Sequence, residues 1–230
     1  MTVIAIDGPA GSGKSTLAAL LSNRLGYAHL DTGAMYRAVT LLALRQGVPL
    51  DDGPALAELA RSARLTFTAA GRLLAQGEDV SEEIRRPAVS AAVSQVSAHP
   101  EVREVLVAEQ RRLASEGNVV MEGRDIGTVV CPTAAVKIFL VADSRVRADR
   151  RQKELLAKGE RLDSQQAQAD IEARDRYDSS RPVAPLKAAD DAVVLDSTEL
   201  TIDEMVALAE SIVRERMAAR APLSERGVRP

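Results

Sequence analysis

The residues best suited to chemistry come early: Gly8-Pro9-Ala10-Gly11-Ser12-Gly13-Lys14-Ser15 fits the pattern G-x-x-x-x-G-K-S/T, and Thr16 follows it. Glycines let a backbone curl so that successive amide hydrogens point at phosphate oxygens, and a helix starting at Lys14 adds positive potential there. Lys14 can then reach the β and γ phosphates, and Ser15 can coordinate Mg²⁺. A glycine-rich turn that binds nothing is the alternative, and its neighbours argue against it. Thr2 to Ile6 is a β-branched run, and Lys14 to Leu25 carries Leu17, Leu20, Leu21 and Leu25 at helical spacing. A nucleoside triphosphate is the expected ligand.

Kinases, switch GTPases and mechanical ATPases all use such a loop, so the rest of the chain must separate them. No N-K-x-D segment for reading guanine is present. Val119-Val120-Met121-Glu122 is an apolar run ending in an acid, and Gly123-Arg124-Asp125 follows at once. A guanidinium and a carboxylate then stand at the carboxyl end of a strand, where α/β proteins bind ligands, so a second ligand beside the triphosphate is expected.

Several long segments together resemble the bacterial cytidylate kinase family, within the nucleoside-monophosphate kinases. They are the glycine loop, Asp31-Thr32-Gly33-Ala34-Met35-Tyr36-Arg37, Gly77-Glu78-Asp79-Val80-Ser81, Ser94-Gln95-Val96, Gly123 to Val130 and Arg181-Pro182-Val183-Ala184-Pro185-Leu186, in family order. The resemblance runs from Val3 to about Arg214. It implies transfer of the γ-phosphoryl of ATP, with Mg²⁺, to CMP or dCMP. The implied architecture is a three-layer P-loop kinase fold with a five-stranded parallel sheet, an enlarged monophosphate-binding insert and a short lid. Gly8 to Thr16 would hold ATP.

On the acceptor side, the resemblance implies that Arg37, Arg124 and Arg181 clamp the monophosphate. Ser94, Arg103 and Asp125 would read the cytosine edge, Asp178 would meet the ribose, and Arg174 would lie near the phosphate. Asp31, Thr32 and Tyr36 belong beside this pocket, although Asp31 could instead cap a helix from Ala34 onward. The base assignment makes chemical sense: cytosine offers an amino donor that a carboxylate can accept, whereas uracil presents a carbonyl at that position. Alternatives remain for individual residues. Ser94 could bond to its own helix, Asp178 and Arg181 could form a surface ion pair, and 25 of the 30 basic residues are arginine, so several could simply be solvated. Arg147 and Arg151, four apart in a stretch with four arginines, look like lid residues that cover the donor phosphates and stabilise the transition state; a solvated basic face is the other reading. A P-loop kinase for UMP or a small metabolite, and a nucleotide switch with little turnover, are the rival functions.

The elements that must position these groups alternate strand and helix. Val119 to Met121, Val136 to Val141 and Val193 to Leu195 read as buried parallel strands, and Pro100 to Ser115, Arg145 to Leu156, Ser164 to Arg174 and Ile202 to Met217 as helices. Between them, Arg64 to Ala69 and Arg72 to Gln76 flank Ala70-Gly71 as a hairpin would. The expected organisation is a core of residues 1–64 and 97–220, a lid at about 145–160 with a hinge at Lys158-Gly159-Glu160, an insert at 65–96 and a frayed tail at 221–230. Over 230 residues the formal net charge is −3 and aromatics are 2%, which disfavours coating of a nucleic-acid polymer by charge or by base stacking. One cysteine, Cys131, and two histidines, His29 and His99, allow no internal disulfide and argue against a transition-metal cage. The amino terminus lacks a basic, long-apolar leader, and no membrane-length apolar run follows. A cytoplasmic monomer is the expectation.

Overall fold

The computed structural model describes residues 1–68, 71–157 and 163–220. The β-branched opening run forms strand β1 (Val3–Asp7), and the leucine-spaced stretch forms helix α1 (Lys14–Leu25). Then come β2 (Ala28–Asp31), α2 (Thr32–Gln46) and α3 (Gly53–Ser62). Short strands β3 (Thr66–Phe67), β4 (Leu73–Ala75) and β5 (Glu78–Asp79) precede α4 (Pro87–Ala98) and α5 (Pro100–Ala114). The chain ends with β6 (Val119–Gly123), β7 (Val136–Val141), α6 (Ser144–Ala157), α7 (Ser164–Ser180), β8 (Val193–Asp196) and α8 (Ile202–Arg220).

Five strands form a parallel sheet in the order β2-β6-β1-β7-β8. Alternation along β1 sends Ile4 and Ile6 to one face, where they pack with Leu17 and Leu21 of α1 and Met205, Val206 and Val213 of α8. Ala5 faces the other way, with Leu30, Val107 and Met121. The result is three layers. Because β2 and β7 lie on opposite sides of β1, the loops leaving the carboxyl edge diverge there and open a crevice.

Strands β3 to β5 make a separate antiparallel sheet. Gln76 and Gly77, both at positive φ (53° and 84°), turn β4 tightly into β5, a second hairpin beyond the expected one. The segment has no core of its own: Leu73, Ile84, Val89 and Val93 share one cluster with Met35 of α2, Leu56 of α3 and Leu106 of α5. The periodicity did not predict β2 or α3. It also stopped α7 at Arg174, six residues short. The expected hinge at 158–160 and the frayed tail at 221–230 lie outside the described residues, as does Ala70 of the expected hairpin turn.

Candidate active site

The glycine loop crosses the carboxyl edge of the sheet between β1 and α1. At Gly8, φ is 151° and a Cβ would stand 2.1 Å from the carbonyl oxygen of Leu140, so only glycine lets the loop rest on β7. Lys14 is buried; its Nζ donates to the Pro9 carbonyl at 2.7 Å. Burial, then the nearby Arg124 guanidinium, pushes its pKa down to about 7. Ser15 Oγ donates to Glu122 Oε2 at 2.7 Å, and His29 Nε2 lies 3.1 Å from the other oxygen of that carboxylate. Lys14, Ser15, Thr16 and Glu122 all face one cavity of about 1310 Å³.

Across this cavity stand Arg37, Arg124, Arg174 and Arg181. Arg37 donates to Ser90 Oγ at 2.9 Å, Arg124 Nε to Asp178 at 3.0 Å, and Arg181 to the carbonyl of Ala184 at 3.1 Å. Arg174 Nε is buried and has no hydrogen-bond partner. Burial lowers the pKa of Arg37 to about 10 and that of Arg174 to about 9, and neighbouring guanidinium groups push in the same direction. Crowded, partly desolvated arginines with a donor to spare have the chemistry to suit an anion with several oxygens.

Beside them Arg103, on α5, donates to the Asp125 carboxylate, and both side chains are buried. The Arg103 guanidinium also lies 5.7 Å from the centre of the Tyr36 ring, a cation–π contact. Burial raises the pKa of Asp125, while Arg103 and Arg181 oppose that rise. Ser94, from α4, lines the same cavity, as do Ser97 and Arg103. A carboxylate with one oxygen held by arginine, beside further hydroxyl and guanidinium donors, can read a planar group that carries both donors and acceptors.

For Asp31 the cap and a place on the cavity wall coexist. Its Oδ1 caps α2 by accepting from Ala34 N at 2.9 Å, its other oxygen takes Arg85 at 3.1 Å, and the residue lines the cavity. Thr32 also lines it, yet its hydroxyl is committed to the Glu122 carbonyl at 2.7 Å. Gly8, Pro9 and Ser12 form the back of the loop rather than the cavity wall. Arg147 departs from expectation. Its guanidinium donates to the carbonyls of Ala142 and Ala10 and to Asp175, and it does not line the cavity. Helix α6 passes so close to the loop that a Cβ on Gly11 would meet the Arg147 carbonyl oxygen at 3.0 Å, so the side chain packs behind the loop. Arg150 and Arg151 face the cavity instead; Arg150 holds the carbonyls of Ser12 and Ser197. Glu122, Arg150, Asp175 and Asp7 were not among the expected site residues. Only Glu122 had a signal, as the acid closing an apolar strand.

A five-stranded parallel sheet flanked by helices, with a phosphate loop at its carboxyl edge, places the chain among the P-loop kinases. Solved structures agree at the level of fold: a gluconokinase from Sinorhizobium meliloti 1021 aligns with a TM-score of 0.50 and 17% identity over 96% of this chain and 98% of that one. A shikimate kinase from Bacteroides thetaiotaomicron aligns with a TM-score of 0.50 and 16% identity over 93% and 98%. The family model described as cytidylate kinase matches residues 4–215. Curated cytidylate kinases are 51% identical over 219 residues in Geobacter sp. strain M21, covering 94% of each chain, and 54% over 207 residues in Pelotomaculum thermopropionicum, covering 88% and 92%. This chain belongs to the cytidylate kinase family.

Proposed function

We propose that the protein transfers the γ-phosphoryl of ATP to CMP or dCMP, and that the Arg103–Asp125 pair beside the arginine pocket is where the base is chosen. The observation that carries this reading is the convergence on one cavity of the phosphate loop, four arginines suited to a phosphate, and a buried acceptor carboxylate. Lys14 holds donor phosphate oxygens; Arg37, Arg124, Arg174 and Arg181 hold the acceptor phosphate. That phosphate is already substantially ionised at neutral pH, so no strong general base is needed. Rate comes from alignment and from neutralising charge as it shifts between oxygens, to which Arg151 contributes at the donor end.

The donor set fits Mg²⁺. Ser15 and Glu122 offer a hydroxyl and a carboxylate oxygen 2.7 Å apart, hard ligands of the type that Mg²⁺ prefers. Among the described residues no group of three or more His, Cys, Asp or Glu could hold a metal ion, so nucleotide oxygens would complete the coordination. The ion neutralises charge on the β and γ phosphates when bound. The 65–96 segment acts as the acceptor-binding unit, residues from about 145 form the lid, and the enzyme works as a monomer. No described helix is long and apolar enough to cross a membrane. A cytoplasmic setting suits the one free thiol, Cys131.

Asp125→Ala tests base choice. CMP loses a charge-assisted contact of about 1.5 to 3 kcal/mol while UMP is relieved of a carboxylate facing O4, so the CMP to UMP ratio of kcat/KM should fall roughly ten- to hundredfold. If both activities fall together at a constant ratio, Asp125 serves only to place Arg103 or the strand end.

A further inference from the structure

We propose that Asp7 is a positioning residue for recognition of the acceptor base, holding the turn that aims Asp125 from the residue where the phosphate loop begins. Asp7 closes β1 and is buried. Its two oxygens accept from consecutive amides, Oδ1 from Ile126 N and Oδ2 from Gly127 N, each at 2.8 Å. These residues open a wide turn, Ile126–Val130, that starts immediately after Arg124-Asp125. Asp7 lies opposite Gly123 in the β1–β6 register, so its carboxylate reaches past the last rung of the ladder and beyond Arg124-Asp125 to the amides of Ile126 and Gly127. Two amides converging on one carboxylate fix the peptide plane between them, and with it the backbone from which the Asp125 side chain departs toward Arg103.

Only an ionised carboxyl does this without penalty. It is acceptor-only at both oxygens, whereas an asparagine amide would turn an N–H against one of the two buried donors. Burial pushes the Asp7 pKa up to about 6, with the two amide bonds pulling the other way. The charged groups that act on it are Asp125 beyond β6 and Lys14 of α1, and the Lys137 stem from β7 packs beside Gly127. A costly buried carboxylate that touches neither phosphate site is thereby accounted for. The inference rests on the reading of Asp125 as the residue that selects cytosine.

Asp7→Asn is the test. The CMP to UMP ratio of kcat/KM should fall about tenfold, chiefly through a higher KM for CMP, while the affinity for ATP alone, measured by calorimetry, changes by less than about threefold. A brace with no part in recognition would lower the melting temperature and leave the ratio unchanged, which overturns the proposal. Should the variant fail to fold, the native chain still decides. The amide resonances of Ile126 and Gly127 should titrate together between about pH 5 and 8, and the CMP to UMP ratio should drop on the acid side of their shared midpoint. A ratio that stays flat while these amides titrate overturns it. Failure of the underlying reading looks different: Asp125→Ala would itself leave the CMP to UMP ratio of kcat/KM unchanged.

Discussion

Lys14 carries its charge where burial and two guanidinium groups resist it, hence a pKa of about 7. A polyphosphate favours the charged form, so nucleotide binding must raise that pKa. At about pH 8, where free Lys14 is mostly neutral and ATP fully ionised, binding should therefore take up most of one proton. Calorimetry in buffers of different ionisation enthalpy reads this directly, and proton release, or no exchange, would contradict it. In Lys14→Ala the uptake should vanish and turnover should fall by orders of magnitude with the fold intact; near-normal turnover would remove Lys14 from the donor site. Lys14 and Ser15 were legible in the sequence because their motif is contiguous. Glu122 and Asp7 were not fully so: Ser15 meets Glu122 across 107 positions and Asp7 meets Ile126 across 119, and one acid at a strand end reads like any other until the sheet pairs it.

Helix α6 shows how a correct element can carry a misplaced residue. Arg147 and Arg151 are one turn apart, as their spacing requires, but the helix runs against the loop, so one guanidinium goes behind it and the other into the cavity. The two should therefore separate in their effects. Arg147→Ala should cost about 2 to 3 kcal/mol of stability, below the range for a fully buried pair because Asp175 still reaches solvent, with a modest loss of turnover. Arg151→Ala should spare stability and lower kcat. Thermal unfolding and steady-state rates on both variants check this, and an unchanged melting temperature for Arg147→Ala would refute the bracing role. Elsewhere, legibility followed burial. Strands β6 and β7 are nearly continuous apolar runs, as parallel strands covered on both faces must be. Strand β2 has four residues at the sheet edge with only Leu30 buried, too little pattern to see. Helix α7 is largely polar, which hid the turn that carries Asp178.

At the scale of the molecule, the cavity is walled by α2 and α4 on one side and by the glycine loop, α6 and α7 on the other. CMP should tie these walls together. Hydrogen exchange with saturating CMP should show added protection in the 65–96 segment and near Arg181, and unchanged exchange in both would argue against closure about the acceptor. The sequence showed where this segment interrupts the alternation, but not that its apolar side belongs to a core shared with α2, α3 and α5, since that core is assembled from stretches far apart in the chain. The distribution of charge has a kinetic consequence. Eight arginines and Lys14 line the cavity against six carboxylates, an excess of three positive charges inside a chain whose formal net charge is −3. The outer surface must then carry the balance of negative charge and discourage nucleotides from lingering on it, while the mouth of the crevice draws them in. Encounters are thereby sorted by electrostatics before any hydrogen bond forms, and the capture rate of both substrates becomes a property of ionic strength as much as of the residues that finally hold them.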